Sequence, residues 1–206
     1  MTAEVRGTDR PRATAGRDSA TWRDLSAHHW WWRARDQFIQ ARLSAWLPAQ
    51  ETGRVLAVGC GDRLAFDWLS RWGVVYGIES DRALLSFESR LDTRVFVGSV
   101  LDKLPFDGPF DLVTAFDVLE HIEHDLTALR RLASLLSRDG LIVLHLPAWR
   151  HLWTAHDDVN QHWRRYSFDD VVHLCAASGL EILEMRSWFY LAAVAKAVLH
   201  LVPVLD

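Results

Sequence analysis

A chain of 206 residues, half of them hydrophobic and with a formal charge of −4, is long enough for one domain with a sizeable core. The mild acidic balance gives no support to nucleic-acid binding, which leaves a basic footprint. Two cysteines, Cys60 and Cys175, with no CxxC pair, imply neither a disulfide framework nor a thiolate zinc site, and they fit a reducing cytoplasm. Residues 1–20 are rich in Arg, Thr, Asp and Gly and lack an apolar run, so they read as a disordered tail and not as a signal peptide. Order is expected from Thr21. Leu25, His29, Trp32, Phe38, Ile39, Leu43 and Trp46 share one side of a helix that Pro48 ends.

The stretch Arg54 to Arg63 organises the rest. Val55, Leu56, Ala57 and Val58 suit a strand buried on both faces, and Gly59 and Gly61 follow where the backbone must turn sharply and a ligand must come close. Leu64, Phe66, Leu69 and Trp72 then take helical spacing. A second apolar strand, Val74 to Ile78, ends at Glu79, about 20 residues on, where open α/β sheets place an acid on a ribose. A nucleoside site is therefore expected. Leu64 stands where a dinucleotide fingerprint needs its third glycine, which disfavours NAD and FAD, and no Lys-Ser or Lys-Thr completes a Walker loop.

Asp81 to Leu91 reads as a helix, Val95 to Gly98 as a third strand, and Phe110 to Asp117 as a fourth. A helix from Leu126 to Leu136 is expected to stop at Asp139-Gly140, and Leu141 to Leu146 to form the fifth strand. Ser167-x-x-Asp170 is a capping-type start to a helix running to Ala177, and Leu180 to Ser187 suits a sixth strand. Beyond it Leu191, Val194, Val198, Leu199 and Val202 form a helical stripe. The apolar stretch 188–205 is marginal as a membrane span, since a central Lys196 costs roughly 2.5–3.5 kcal/mol on the insertion scale. An amphipathic helix over the pocket, or one touching a lipid surface or another protein, is expected instead.

These marks together resemble the class I S-adenosylmethionine (SAM) dependent methyltransferases. Val-Leu-Ala-Val-Gly-Cys-Gly is similar to the family's Val-Leu-Asp-Val-Gly-Cys-Gly signature, Leu104-Pro105-Phe106 and Phe110-Asp111-Leu112-Val113 match its following elements, and Asp117-Val118-Leu119-Glu120-His121-Ile122 resembles Asp-Val-Leu-Glu-His-Val. Trp31-Trp32 with Arg35, the Leu152-Trp153 and His156-Asp157 pairs, and His162-Trp163-Arg164-Arg165-Tyr166 resemble a subset with an N-terminal Trp-Trp-x-x-Arg segment. The resemblance implies an α/β Rossmann-like sheet with helices on both faces and an N-terminal helical cover at 21–50, the domain spanning 21–206. It implies SAM as cofactor, touched by Arg35, Val58, Gly59, Cys60, Gly61, Glu79, Ser80, Ser99, Val100 and Asp117. Arg33 or Arg35 would pair with the SAM carboxylate, and Ser99 stands where the family places an acid on adenine. Family members add a seventh, antiparallel strand, and none is evident here before Asp206.

Methyl transfer to oxygen or nitrogen needs the acceptor held close and its proton removed. His121 and His156 are the candidate catalytic bases, with Asp157 a candidate to hold His156, while Glu120 is expected to pack or cap. Trp153, His162, Arg164 and Tyr166 are candidates for binding the substrate, and Arg165 for tying the loop to the acidic rim. A metal at His156, Asp157 and His162 is not expected, because no helical His-x-x-x-His pair fixes its geometry. The expected function is SAM-dependent methylation of a small metabolite in biosynthesis, a glycosylated or lipid-linked one among the options. Ala57, Arg63 and Ser99 alter three customary positions and keep a degenerate binding or scaffold subunit open. The histidine and arginine loop keeps open a SAM-fold enzyme of other chemistry. The oligomeric state is left undecided.

Overall fold

The computed structural model describes residues 19–50 and 52–187. The reading of 1–20 as a tail falls outside them except at Ser19 and Ala20, which are helical, and the reading of 188–206 as an apolar helix falls outside them entirely. Helix α1 (Ser19–His28) and helix α2 (Trp30–Trp46) come first, followed by β1 (Arg54–Val58), the short α3 (Phe66–Leu69) and β2 (Val74–Glu79). Then come α4 (Phe87–Leu91), β3 (Val95–Val97), β4 (Phe110–Phe116), α5 (Asp125–Ala133) and β5 (Leu136–His145). Two helices, α6 (Ala155–Val159) and α7 (Phe168–Ala177), complete the described chain.

The strands form one parallel sheet in the order β3-β2-β1-β4-β5. Alternation along β1 explains its two-sided burial. Leu56 and Val58 point into a cluster with Ile78, Val113, Leu129, Leu132 and Leu174, which α5 and α7 cover. Val55 and Ala57 point the other way, into a cluster with Leu43, Phe66, Leu69, Trp72 and Leu85 beneath α2, α3 and α4. Trp72 is almost fully buried, and its indole N–H is satisfied by the Leu47 carbonyl at 2.9 Å. The strand order reverses between β1 and β4, the switch point at whose carboxyl edge open α/β sheets bind ligands. Fold class and helical layers therefore agree with the reading of the sequence.

Several boundaries differ. The stretch after the glycine turn holds only α3 and a single 3-10 turn, Ser70–Trp72, in place of a continuous helix. Asp81 to Leu91 is likewise split into a 3-10 turn at Arg82–Leu84 and α4, because Ser86 caps α4 by accepting from the Ser89 N–H. Helix α5 stops at Ala133 and not Leu136, since the Leu135 carbonyl accepts from Phe110 N–H at 2.8 Å and Leu136 already pairs with Phe110. Gly140 therefore lies inside β5. A Cβ there would meet the Phe110 carbonyl oxygen at 2.8 Å, so closeness to β4 favours glycine at that position. Leu180 to Ser187 joins no ladder among the described residues. Leu180 and Ile182 pack on the core, while Glu184 accepts two hydrogen bonds from Arg42 and one from Trp46 of α2. Among the described residues no helix is long and apolar enough to cross a membrane.

Candidate functional site

The carboxyl ends of β1, β2 and β4 meet at the switch point. Gly59 and Gly61 both lie at positive φ, +67° and +51°. Gly59 and Cys60 donate their N–H groups to the Ile78 carbonyl at 2.8 and 3.1 Å, which ties the turn to β2. A Cβ on Gly59 would lie 2.5 Å from Val118 Cγ2, so only glycine lets the turn pass the end of β4. Glu79 closes the other side, accepting from Gly61 N–H at 2.9 Å and from Asp81 N–H at 2.8 Å. Its burial raises the carboxyl above the usual range, against the pull of those two N–H groups.

Arg63 occupies the position where a small residue is customary, and it adopts φ +61°. Its guanidinium donates to Ser89 Oγ at 2.9 Å and reaches Asp92 at 3.2 Å. Asp62, which sequence reasoning passed over, anchors the same loop. Its carboxylate takes the Ser86 N–H at 2.8 Å, the Ser89 hydroxyl and Arg23 of α1 at 2.9 Å. Two acid-and-serine contacts thus hold the glycine loop on α4.

Asp117, also at positive φ (+54°), is the hub of the rim. Arg35 donates to one of its oxygens at 2.9 Å, and His145 Nδ1 lies 2.7 Å from the other. Burial opposes ionisation of Asp117, but His145 and Arg35 outweigh it and hold the carboxyl at about 2. Arg35 is shared with Asp36, whose other oxygen accepts from Trp68 Nε1 at 3.2 Å. Trp31 meets the edge of His145, and Trp68 stacks on Phe116 with ring centres 6.0 Å apart. These contacts fasten α2 over the carboxyl edge, as a cover should be. His145 and Asp36 carried no sequence signal, because nothing in their spacing says that α2 crosses this edge. Arg33 is exposed.

The loop after β5 leaves and returns at one point. Trp149 N–H donates to the Tyr166 carbonyl, and Tyr166 N–H to the Pro147 carbonyl, both at 2.9 Å. Asp157 is fully buried at the loop's centre. It accepts from Thr154 N–H at 2.8 Å and from Arg165 at 2.7 and 2.9 Å, with His162 Nδ1 at 3.0 Å. Burial again works against ionisation, and Arg165 leads the contacts that hold Asp157 at about 2. Arg165 is therefore the loop tie expected of it. Asp157 does not hold His156, because its oxygens are committed to Arg165, His162 and Thr154. His156 stands exposed on α6, on the lining of the cleft.

Of the four residues expected at the substrate, His162 packs on His121, Tyr166 is buried, and Trp153 and Arg164 are engaged by acids. Trp153 donates to Asp158 at 2.9 Å, while Arg164 pairs with Asp125 at 2.6 Å. Tyr166 is buried with its hydroxyl donating to Asp125 at 3.0 Å, and burial raises its phenol far above the ordinary value. Val58, Cys60, Ser80, Ser99 and Val100 line the cleft as well. The loop brings His162 over His121, ring centres 4.7 Å apart, and Trp163 N–H donates to the Glu120 carbonyl at 2.7 Å. Desolvation first, then the charge of His162, pushes His121 down to about 4.

Residues 30–185 match a family model described as a methyltransferase domain. Among curated proteins, the trans-aconitate 2-methyltransferase of Pseudomonas paraeruginosa is 32% identical over 101 residues, 47% of this chain and 37% of that protein. The ubiquinone biosynthesis O-methyltransferase of Xanthomonas campestris pv. campestris is 35% identical over 118 residues, 53% of this chain and 47% of that protein. The chain thus matches less than half the length of either relative. Of solved structures, the YcgJ protein of Bacillus subtilis is similar with a TM-score of 0.62 and 20% identity, covering 74% of this chain and 72% of that one, a likeness of fold.

Proposed function

The chain belongs to the methyltransferase-domain family, and from that membership we propose that it transfers a methyl group from SAM to an oxygen or nitrogen of a small metabolite. The observation that carries this reading is the cradle at the switch point: two positive-φ glycines beside Val118, with the Glu79 carboxyl at the end of the next strand. Its residues fit a nucleoside cofactor. Gly59 and Gly61 leave room for close backbone approach, Glu79 is an acceptor for ribose hydroxyls, and Ser99 offers a neutral acceptor on the adenine side. Arg35 is the partner for the cofactor carboxylate, and it exchanges part of its hold on Asp117 and Asp36 to take that role. When bound, SAM supplies a methyl group on a cationic sulfur.

The acceptor's proton goes to His121 or His156. Burial and His162 lower the basicity of His121, which favours the exposed His156 as the base. His162 and Tyr166 shape the acceptor pocket, while Trp153 and Arg164 support its outer wall. The geometry of Arg63 weakens the scaffold alternative, because its side chain is committed to Ser89 and Asp92. The test is incubation of the protein with methyl-labelled SAM and a panel of hydroxylated and amino acceptors. Label in an acceptor, with S-adenosylhomocysteine (SAH) formed in equal amount, supports methylation. A changed acceptor without label, or no turnover across the panel with intact SAH binding, moves the function to other chemistry or to a binding role.

A further inference from the structure

Glu120 is the one residue of the rim whose chemistry the cofactor reading leaves unused. It is fully buried, yet among the described residues neither of its carboxylate oxygens has a hydrogen-bond partner. An ionised carboxylate buried without partners costs several kcal/mol, so this side chain holds a proton unless a cation takes its place. Two imidazoles stand against it. One oxygen of Glu120, one ring nitrogen of His121 and one of His162 all lie within 4.8 Å of one another. We infer that Glu120, His121 and His162 form a binding site for a divalent first-row transition-metal ion beside the acceptor pocket.

The surroundings prepare each ligand. His162 Nδ1 is engaged by Asp157, which leaves Nε2 as the nitrogen for an ion, the carboxylate–histidine arrangement that orients and strengthens metal-bound imidazoles. Neither neighbouring acid competes: Asp117 is held by Arg35 and His145, and Asp157 by Arg165. Asp157 also neutralises Arg165, a nearby cation that would otherwise repel the ion. Two imidazoles and one carboxylate suit zinc, cobalt, iron or manganese, whereas magnesium and calcium prefer oxygen alone. Three protein ligands would leave a coordination position open, and His121 is the exposed member of the trio.

The ion's place beside the acceptor rests on the methyltransferase reading; the ion site itself does not. In that setting Glu120, His121 and His162 would hold the ion, which would supply Lewis acidity toward an acceptor oxygen, with His156 as the candidate base. Residues 42 positions apart in sequence meet here because the loop after β5 folds back on itself, which is why neither spacing nor motif pointed to the trio.

The test uses tag-free, chelator-stripped full-length protein. It is titrated with Co2+ and followed by visible absorption and metal analysis, with Zn2+ and Mg2+ in parallel thermal-shift series. One Co2+ per chain is expected, with affinity reduced at least about tenfold in Glu120→Gln and in His162→Ala. Glu120→Gln reproduces the shape of the protonated side chain, so it folds as the wild type does, and circular dichroism verifies this. Absence of Co2+ and Zn2+ binding in the wild type, or unchanged affinity in Glu120→Gln, overturns the site. A Mg2+ response equal to that of Zn2+ overturns the ion class. SAH titration of the same samples separates this result from the methyltransferase reading: Co2+ uptake without SAH binding keeps the ion site and removes the cofactor.

Discussion

Replacing Gly59 by alanine tests the cradle where it is tightest. The new Cβ would lie 2.5 Å from Val118 Cγ2, against about 3.5–4.0 Å for ordinary carbon contacts. Two costs add: about 1–2 kcal/mol for an alanine in the left-handed region at φ +67°, and about 1–3 kcal/mol for the overpacked contact. A stiffer unfolded chain returns about 0.4–1 kcal/mol, which leaves a net loss of about 1–5 kcal/mol. Val118→Ala removes the clashing methyl, so in that background only the backbone strain remains. Urea denaturation of the four proteins of the cycle gives the coupling directly, expected at about 1–3 kcal/mol. SAH affinity should fall with Gly59→Ala and recover in part in the double variant. Gly59→Ala as stable as the wild type, or no relief from Val118→Ala, refutes the reasoning.

Arg165→Ala leaves the fully buried Asp157 without its main counter-charge, and urea midpoints should report a loss of about 3–5 kcal/mol. Asp117 and Asp157 are both held at about 2 in the folded protein, against about 3.9 for an unfolded aspartate. Their contribution is complete above that unfolded value and disappears as pH falls toward 2, so stability measured from pH 6 down should drop in that window. A flat profile there contradicts the ion-pair assignment, and Arg165→Ala should shallow the slope. Trp72→Ala empties a nearly sealed site in the layer under α2 and strands the Leu47 carbonyl, for about 3–5 kcal/mol in the same assay.

The first four strands were legible because each is a short apolar run closed by glycine or an acid, and the parallel sheet follows from the alternation of strands with helices. Boundaries set by backbone pairing were not. Leu129, Leu132 and Leu136 keep helical spacing, yet the Phe110–Leu135 hydrogen bond takes the chain into β5 before Leu136. Leu180, Ile182 and Met185 look like a strand because side-chain pattern carries no information on whether a ladder partner exists; here Glu184 turns to Arg42 and Trp46 instead. At the site, Gly59, Gly61 and Glu79 were readable from local sequence, since one turn and the next strand end make the cradle. Asp62, His145 and the grouping of Glu120 with His162 were not, because each depends on how a distant helix or loop crosses the rim.

The central claim is that the cleft at the β1–β4 switch point holds SAM, and calorimetric titration of the purified protein with SAM and SAH tests it most directly. Saturable binding of one ligand per chain is expected, lost or strongly weakened in Glu79→Ala with the fold intact. A folded protein that binds neither ligand, or a Glu79→Ala variant that binds both as the wild type does, contradicts it.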